Sequence, residues 1–138
     1  MILTKPNHIK IYGHRGARGD LPENTLESFK YLFENKISAY ETDILLTKDL
    51  IPVVYHDFRL NPALTKDAQG NWIEDNDIKI FDLTYEELSK FKIGEIDKKS
   101  KYGRRFDNQK SLGEIKIPKL SDLLELTSNN ISDNLIIN

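Results

Sequence analysis

The sequence predicts an α/β fold with a parallel sheet, on three observations. Strand-like and helix-like segments alternate from the start: "HIKIYG" (8–13), a helix opening at Asn24, then "ISAYETDILLT" (37–47). The helix between the first two strands makes them a parallel pair, because such a crossover returns the chain to the same edge. The final residues, "NLIIN" (134–138), read as strand again, so the chain stops within a run of strand and helix units, as the first part of a larger parallel architecture.

Each element has its own local warrant. Residues 8–13 alternate apolar and polar side chains and stop at Gly13, the pattern of a short strand running into a loop. Asn24 and Glu27 stand in N-cap and N3 relation, and Leu26, Phe29, Tyr31, Leu32 and Phe33 supply an apolar stripe at helical spacing up to about Asn35. Residues 37–47 are rich in apolar and branched side chains, as a second strand requires. After a turn at "KDL", "IPVVYHDF" (51–58) makes a third. From Arg59 to about Lys110 turn formers and mixed charges take over, with one helical patch, "TYEELSKF", opened by a capping box of Thr84 and Glu87. This stretch is expected to lie outside the sheet, over its rim. Pro118 then precedes a third helix, with Ser121 as N-cap and Leu123, Leu124 and Leu126 on its buried side.

At 138 residues the chain has the size of one domain, and 38% hydrophobic content suffices for an ordinary core. With 20 basic against 22 acidic side chains the net charge is -2. That leaves no electrostatic footprint for nucleic acid, so an anion bound here has to be met by local geometry. The absence of cysteine excludes disulfides and thiolate metal sites and fits a reducing compartment. The N-terminal stretch lacks a basic segment followed by an apolar run, and nothing later approaches the roughly 18 apolar residues of a membrane span. The expectation is a soluble, unexported, cytoplasmic protein without membrane insertion.

Glu41 and Asp43 lie two apart on a strand and so point to one face. Two carboxylates on a face buried by helices repel and lose hydration unless a cation sits between them; a hard divalent ion, Mg2+ or Ca2+, takes carboxylate oxygens. At an open strand end the same pair is ordinary solvated surface, and both readings stand. His56 and Asp57 close the third strand, where an imidazole can exchange protons near neutrality, although a lone histidine there is more often only hydrogen-bonded. His8 falls wholly under that ordinary reading. His14 and Arg15 follow another strand end, and in a parallel sheet all three strand ends open onto one rim. Arg15 has the planar fork that holds a phosphate bidentately, and Gly13, Gly16 and Gly19 let the backbone turn tightly beneath it. Together these side chains are the parts of a metal-assisted attack on a phosphodiester: cations to offset charge, one base and one acid.

The order "HRG", "PENT", "ETD", "LTKD", "VVYHD" within residues 11–57, followed by "IFDLTYEELSKF" and "IPKLSDLLEL", resembles the glycerophosphodiester phosphodiesterase family over nearly the whole chain. The resemblance implies a TIM-type (β/α)8 barrel. Residues 1–138 would be the N-terminal part of its single catalytic domain, with 59–110 an inserted loop and helix region. It also implies divalent-metal dependence and hydrolysis of a small glycerophosphodiester to sn-glycerol 3-phosphate and an alcohol, a step of lipid and glycerol metabolism. Carried over by position, His14 and His56 match the catalytic acid/base pair, Arg15 the phosphate-contacting arginine, and Glu41 with Asp43 two metal ligands. His14 is assigned to activating the nucleophile, either the substrate's own glycerol hydroxyl or water, and His56 to protonating the leaving alkoxide.

The sequence departs from the family pattern in two places. Leu50 stands in "KDL" where the family usually has glycine, and the chain stops at Asn138, before the "E-x-K" segment that carries the family's third metal carboxylate. The expectation is an incomplete barrel and metal site that binds metal weakly and turns over poorly. A phospholipase D-like or phosphoinositide-cleaving enzyme of the same fold shares the metal-plus-histidine logic, but "PENT" and "LTKD" favour the family named. The alternative from another class is a catalytically silent phosphate-binding module, which the missing carboxylate would favour.

Overall fold

A computed structural model of the chain describes residues 11–74 and 77–130. The strand expected at 134–138, the start of the first strand and His8 lie outside the described residues. The elements are β1 (Tyr12–His14), α1 (Leu26–Glu34), β2 (Ala39–Glu41), β3 (Ile44–Leu46), β4 (Pro52–Val54), α2 (Tyr85–Leu88) and α3 (Leu120–Asn130). Single 3-10 turns span Ile80–Asp82 and Gly103–Phe106. No described helix is long and apolar enough to cross a membrane.

The first crossover forms as the sequence predicts. β1 and β2 pair in parallel, with Gly13 opposite Tyr40 and His14 opposite Glu41, and α1 joins them. The next strands differ. Residues 37–47 do not form one strand but break at Thr42 and Asp43, and β3 turns back with β4 as an antiparallel hairpin, Leu45 opposite Val53. The reason is length: a parallel return needs a crossover of about a dozen residues or more, and the turn at "KDL" is far too short for one. The expected set of three parallel strand ends is therefore two parallel ends and one hairpin strand. Leu50 occupies that turn at φ 61°, the left-handed conformation in which glycine is at ease.

The helix boundaries shift for equally local reasons. Thr25, not Asn24, caps α1: its backbone is extended and its hydroxyl accepts from the Ser28 N–H at 3.2 Å. Asn24 sits at φ 55°, and its N–H donates to the Arg15 carbonyl at 2.8 Å. Thr84 and Glu87 form the expected capping box, although α2 ends at Leu88 instead of continuing to Phe91. Ser121 lies inside α3, where the carboxylate of Asp122 accepts from the Lys119 N–H at 3.1 Å and so closes the helix start. Leu123 and Thr127 are buried and Leu126 partly so, whereas Leu124 is exposed, one step around the helix from the stripe that meets the core.

β4 separates two cores by strand alternation. Val54 faces a cluster of Ala17, Phe29, Leu32 and Leu123, which α1 and α3 close over the parallel pair. Phe29 packs edge-on against Tyr40 at 4.9 Å between ring centroids, and the Tyr40 hydroxyl reaches Thr127 on α3 at 2.7 Å. Val53 faces a second cluster with Tyr55, Leu60, Ile73, Ile80, Leu88, Ile93 and Ile117. The 59–110 stretch is thus no loose cover over the rim. It carries most of a core of its own.

Candidate functional site

The site is built where the end of β1 passes beneath α1. A Cβ on Gly13 would lie 2.1 Å from Leu32 Cδ1, so any larger residue would have to displace the Leu32 side chain from its place against the strand. Gly16, at φ 80°, meets Ser28 in the same way, and the Ser28 hydroxyl accepts from the Ala17 N–H at 2.7 Å. Gly19 has open space about it, so two of the three glycines are required by the turn. Between Gly13 and Gly16 the backbone of Arg15 is held at φ 55°, its N–H donating to the Glu41 carbonyl at 2.9 Å and its carbonyl accepting from Asn24 at 2.8 Å. Such a conformation is costly for a side-chain-bearing residue and persists only when pinned on both sides.

The guanidinium of Arg15 is nearly buried, donating from one terminal nitrogen to Glu23 Oε1 at 3.0 Å, with Nε 3.6 Å from Asp43 Oδ2. Burial works against its charge, but the Glu23 carboxylate, with Tyr102 and Asp43 adding to it, more than offsets this and holds its pKa above the ordinary value. Glu23 is itself buried and also accepts from the Tyr102 hydroxyl, which reaches across from the 59–110 stretch. Burial first, and Glu23 second, push the Tyr102 phenol up to about 12. His14 stands more open. Its Nε2 is 3.5 Å from Glu41 Oε2, and its Nδ1 accepts from an Arg18 terminal nitrogen at 2.8 Å.

His14, Arg15, Glu41 and Asp43 are therefore brought together, Glu41 against His14 at the end of β2 and Asp43 against Arg15 from the break just beyond it, not from one face of a continuous strand. His56 is not in direct contact with them among the described residues. Its Nδ1 lies 2.5 Å from Asp57 Oδ1, and Asp57 Oδ2 accepts from Asn61 at 2.9 Å. The link is through backbone: the Tyr55 N–H, one residue before His56, donates to the Asp43 carbonyl at 3.0 Å. A cavity of about 440 Å³ opens beside His14 and Arg18 and runs along β1 to Tyr31 and Leu32, and of the five predicted residues only His14 lines it.

Asp43 Oδ2 is buried without a hydrogen-bond partner, and with Glu41 it offers the oxygen donors that a hard divalent cation prefers. The donor type fits such an ion; the number does not complete a site, since no group of three or more histidine, cysteine or acidic side chains suited to a metal occurs among the described residues.

Reading motifs one residue at a time misses Glu23, Arg18 and Tyr102. The signal for Glu23 is an acidic residue between Pro22 and Asn24 directly before a helix start, though its burial is seen only in the fold. Nothing periodic marks Tyr102, which lies in a turn-rich stretch.

The model of the glycerophosphoryl diester phosphodiesterase family matches residues 14–138. A glycerophosphodiester phosphodiesterase of Bacillus altitudinis is 33% identical over 119 residues, covering 86% of this chain and 40% of the relative. A candidate glycerophosphoryl diester phosphodiesterase of Silicibacter pomeroyi superposes with a TM-score of 0.86 at 40% identity, over 88% of this chain and 41% of that one. An Oleispira antarctica phosphodiesterase, solved in complex with the product sn-glycerol-3-phosphate, gives a TM-score of 0.62 at 29% identity, over 88% of this chain and 41% of its own. The chain thus spans about two fifths of the length of these relatives.

Proposed function

We propose, from the premise that this chain belongs to the glycerophosphoryl diester phosphodiesterase family, that it is the N-terminal part of a (β/α)8-barrel enzyme hydrolysing glycerophosphodiesters to sn-glycerol 3-phosphate and an alcohol. The observation that carries this reading is Arg15. A guanidinium fixed by a strained backbone and by Glu23, within ångströms of two carboxylates and beside a histidine, is an anion clamp set next to proton-transfer groups.

Arg15 binds the phosphodiester and orients it. His14 takes the proton of the nucleophile, the substrate's glycerol hydroxyl or a water. His56 protonates the departing alkoxide; with Asp57 accepting at Nδ1, its imidazolium keeps Nε2–H free to donate. Glu41 and Asp43 would hold a divalent cation, Mg2+ or Ca2+, whose charge offsets that of the phosphate when it is bound. The test is hydrolysis of a panel of glycerophosphodiesters by the full-length protein with Mg2+ or Ca2+ and with a chelator. Release of glycerol 3-phosphate that the chelator abolishes is the expected result; activity that survives chelation contradicts the metal assignment, and no hydrolysis of any diester contradicts the reaction.

A further inference from the structure

Asn24 is a costly residue for the place it holds. It is 2% exposed, its backbone is left-handed at φ 55°, and its Nδ2 is buried without a hydrogen-bond partner among the described residues. Glycine would relieve the backbone, and an apolar side chain would leave no buried donor unsatisfied. Strained backbone of this kind persists where the surrounding structure over-determines it, and it gathers at functional sites. What the amide supplies in return is Oδ1, which accepts from the Thr42 hydroxyl at 2.9 Å.

Thr42 lies between Glu41 and Asp43, in the break where the chain leaves β2. The break is held from two sides. Asn24 takes the Thr42 hydroxyl, while its own N–H donates to the Arg15 carbonyl at 2.8 Å. On the other side the Asp43 carbonyl accepts from the Tyr55 N–H at 3.0 Å, one residue before His56. The Arg15 and Asp43 side chains themselves approach only to 3.6 Å, too long for a hydrogen bond. The Glu41 carbonyl, which takes the Arg15 N–H at 2.9 Å, belongs to the strand before the break. Of these ties, the one through Asn24 joins the Arg15 backbone to the break itself.

We propose that Asn24 is a positioning residue: through Thr42 it holds the break, and with it Asp43 and the strand end that carries His56, in register with Arg15. Asn24 is buried and acts through Thr42, not on the substrate. A phosphate gripped by Arg15 and by a cation on Asp43 needs the two at one spacing, and the alkoxide leaving that phosphate needs His56 at another. One side-chain bond serves both. This deepens the phosphodiesterase reading and rests on the roles given there to Arg15, Asp43 and His56.

The experiment compares the full-length protein with Asn24→Gly, which keeps the left-handed backbone and the bond to Arg15, and with Thr42→Val and Thr42→Ser. The first readout is the dissociation constant for inorganic phosphate without and with Mg2+ or Ca2+. In the wild type the cation should tighten phosphate binding about fivefold or more. Asn24→Gly and Thr42→Val should lose that gain and keep the cation-free constant, whereas Thr42→Ser, which retains the hydroxyl, should keep both. The second readout is hydrolysis of a glycerophosphodiester: kcat should fall about tenfold or more in Asn24→Gly and Thr42→Val, with the double variant no worse than the worse single one. A gain that survives in both variants overturns the proposal, as does an unchanged kcat in both. So does a cation-free constant that weakens along with the gain, which is general loosening, or a Thr42→Ser that fails as Thr42→Val does. If the wild type hydrolyses no diester while the variants still lose the gain, the positioning role stands and the assigned reaction falls. Hydrolysis without a cation-dependent gain removes the metal assignment and leaves the kcat losses to decide; neither property in the wild type overturns both readings.

Discussion

His14 and His56 are mounted in opposite ways. His14 stands on a strand end trapped under α1, with Gly13 against Leu32, Gly16 against Ser28, and Arg15 pinned between β2 and Asn24. His56 follows the hairpin strand and leans on its own neighbour Asp57, which Asn61 holds in turn. The first mount depends on packing between residues far apart in sequence, the second on bonds within a few residues. Damage to α1 should therefore displace His14 and Arg15 together and leave His56 where it is.

The sharpest way to break this contrast is to remove one carboxylate from each mount. Glu23→Gln strips the charge that compensates a nearly buried Arg15, and a cost of about 3 kcal/mol or more in urea unfolding is expected. Asp57→Asn acts on a pair that is more than a third exposed, where solvent screening holds the loss to about 1 kcal/mol or less. Equal losses would mean that the two mounts do not differ. Gly13→Ala comes next, since a methyl 2.1 Å from Leu32 Cδ1 must displace that buried side chain within the core under α1; a loss of about 1–3 kcal/mol is expected, together with weaker phosphate binding.

Tyr102 sharpens the contrast through pH. Burial, with Glu23 adding to it, holds its phenol neutral to about 12 against 10.0 ordinarily. The stabilisation from the neutral form is present in full below the ordinary value and is lost as pH climbs from there toward about 12. The difference in phenolate absorbance between wild type and Tyr102→Phe should show one group titrating near the upper value; titration at the ordinary value would remove the contact with Glu23. The smallest effect is expected at Leu50, an exposed residue in the hairpin turn. Replacing it with glycine relieves the left-handed strain at φ 61° and should raise stability by up to about 1 kcal/mol.

The parts legible in the sequence are those in which one residue type meets one local demand. The β1–α1–β2 crossover followed from spacing alone and sets Glu41 opposite His14, whereas Asp43 reaches Arg15 from the break beyond the end of β2. Competition was not legible. Asn24 and Thr25 both cap helices well, and Thr25 took the role because Asn24 was drawn into a left-handed turn against Arg15. The antiparallel return of β4 follows from a turn too short for a crossover, and the break at Thr42 is concealed by the apolar run around it. The reach of Tyr102 and Arg18 into the site is set by tertiary folding of a stretch whose composition reads as loop.

Whether the two mounts serve a single site is tested most directly by a double-mutant cycle on kcat with His14→Ala, His56→Ala and the combined variant of the full-length protein. Groups that act as a unit lose the reaction once. Each single change should cost about 10²–10⁴-fold, with the combined variant within about tenfold of the worse single one. Losses that multiply, or a dispensable His56, would contradict a shared site.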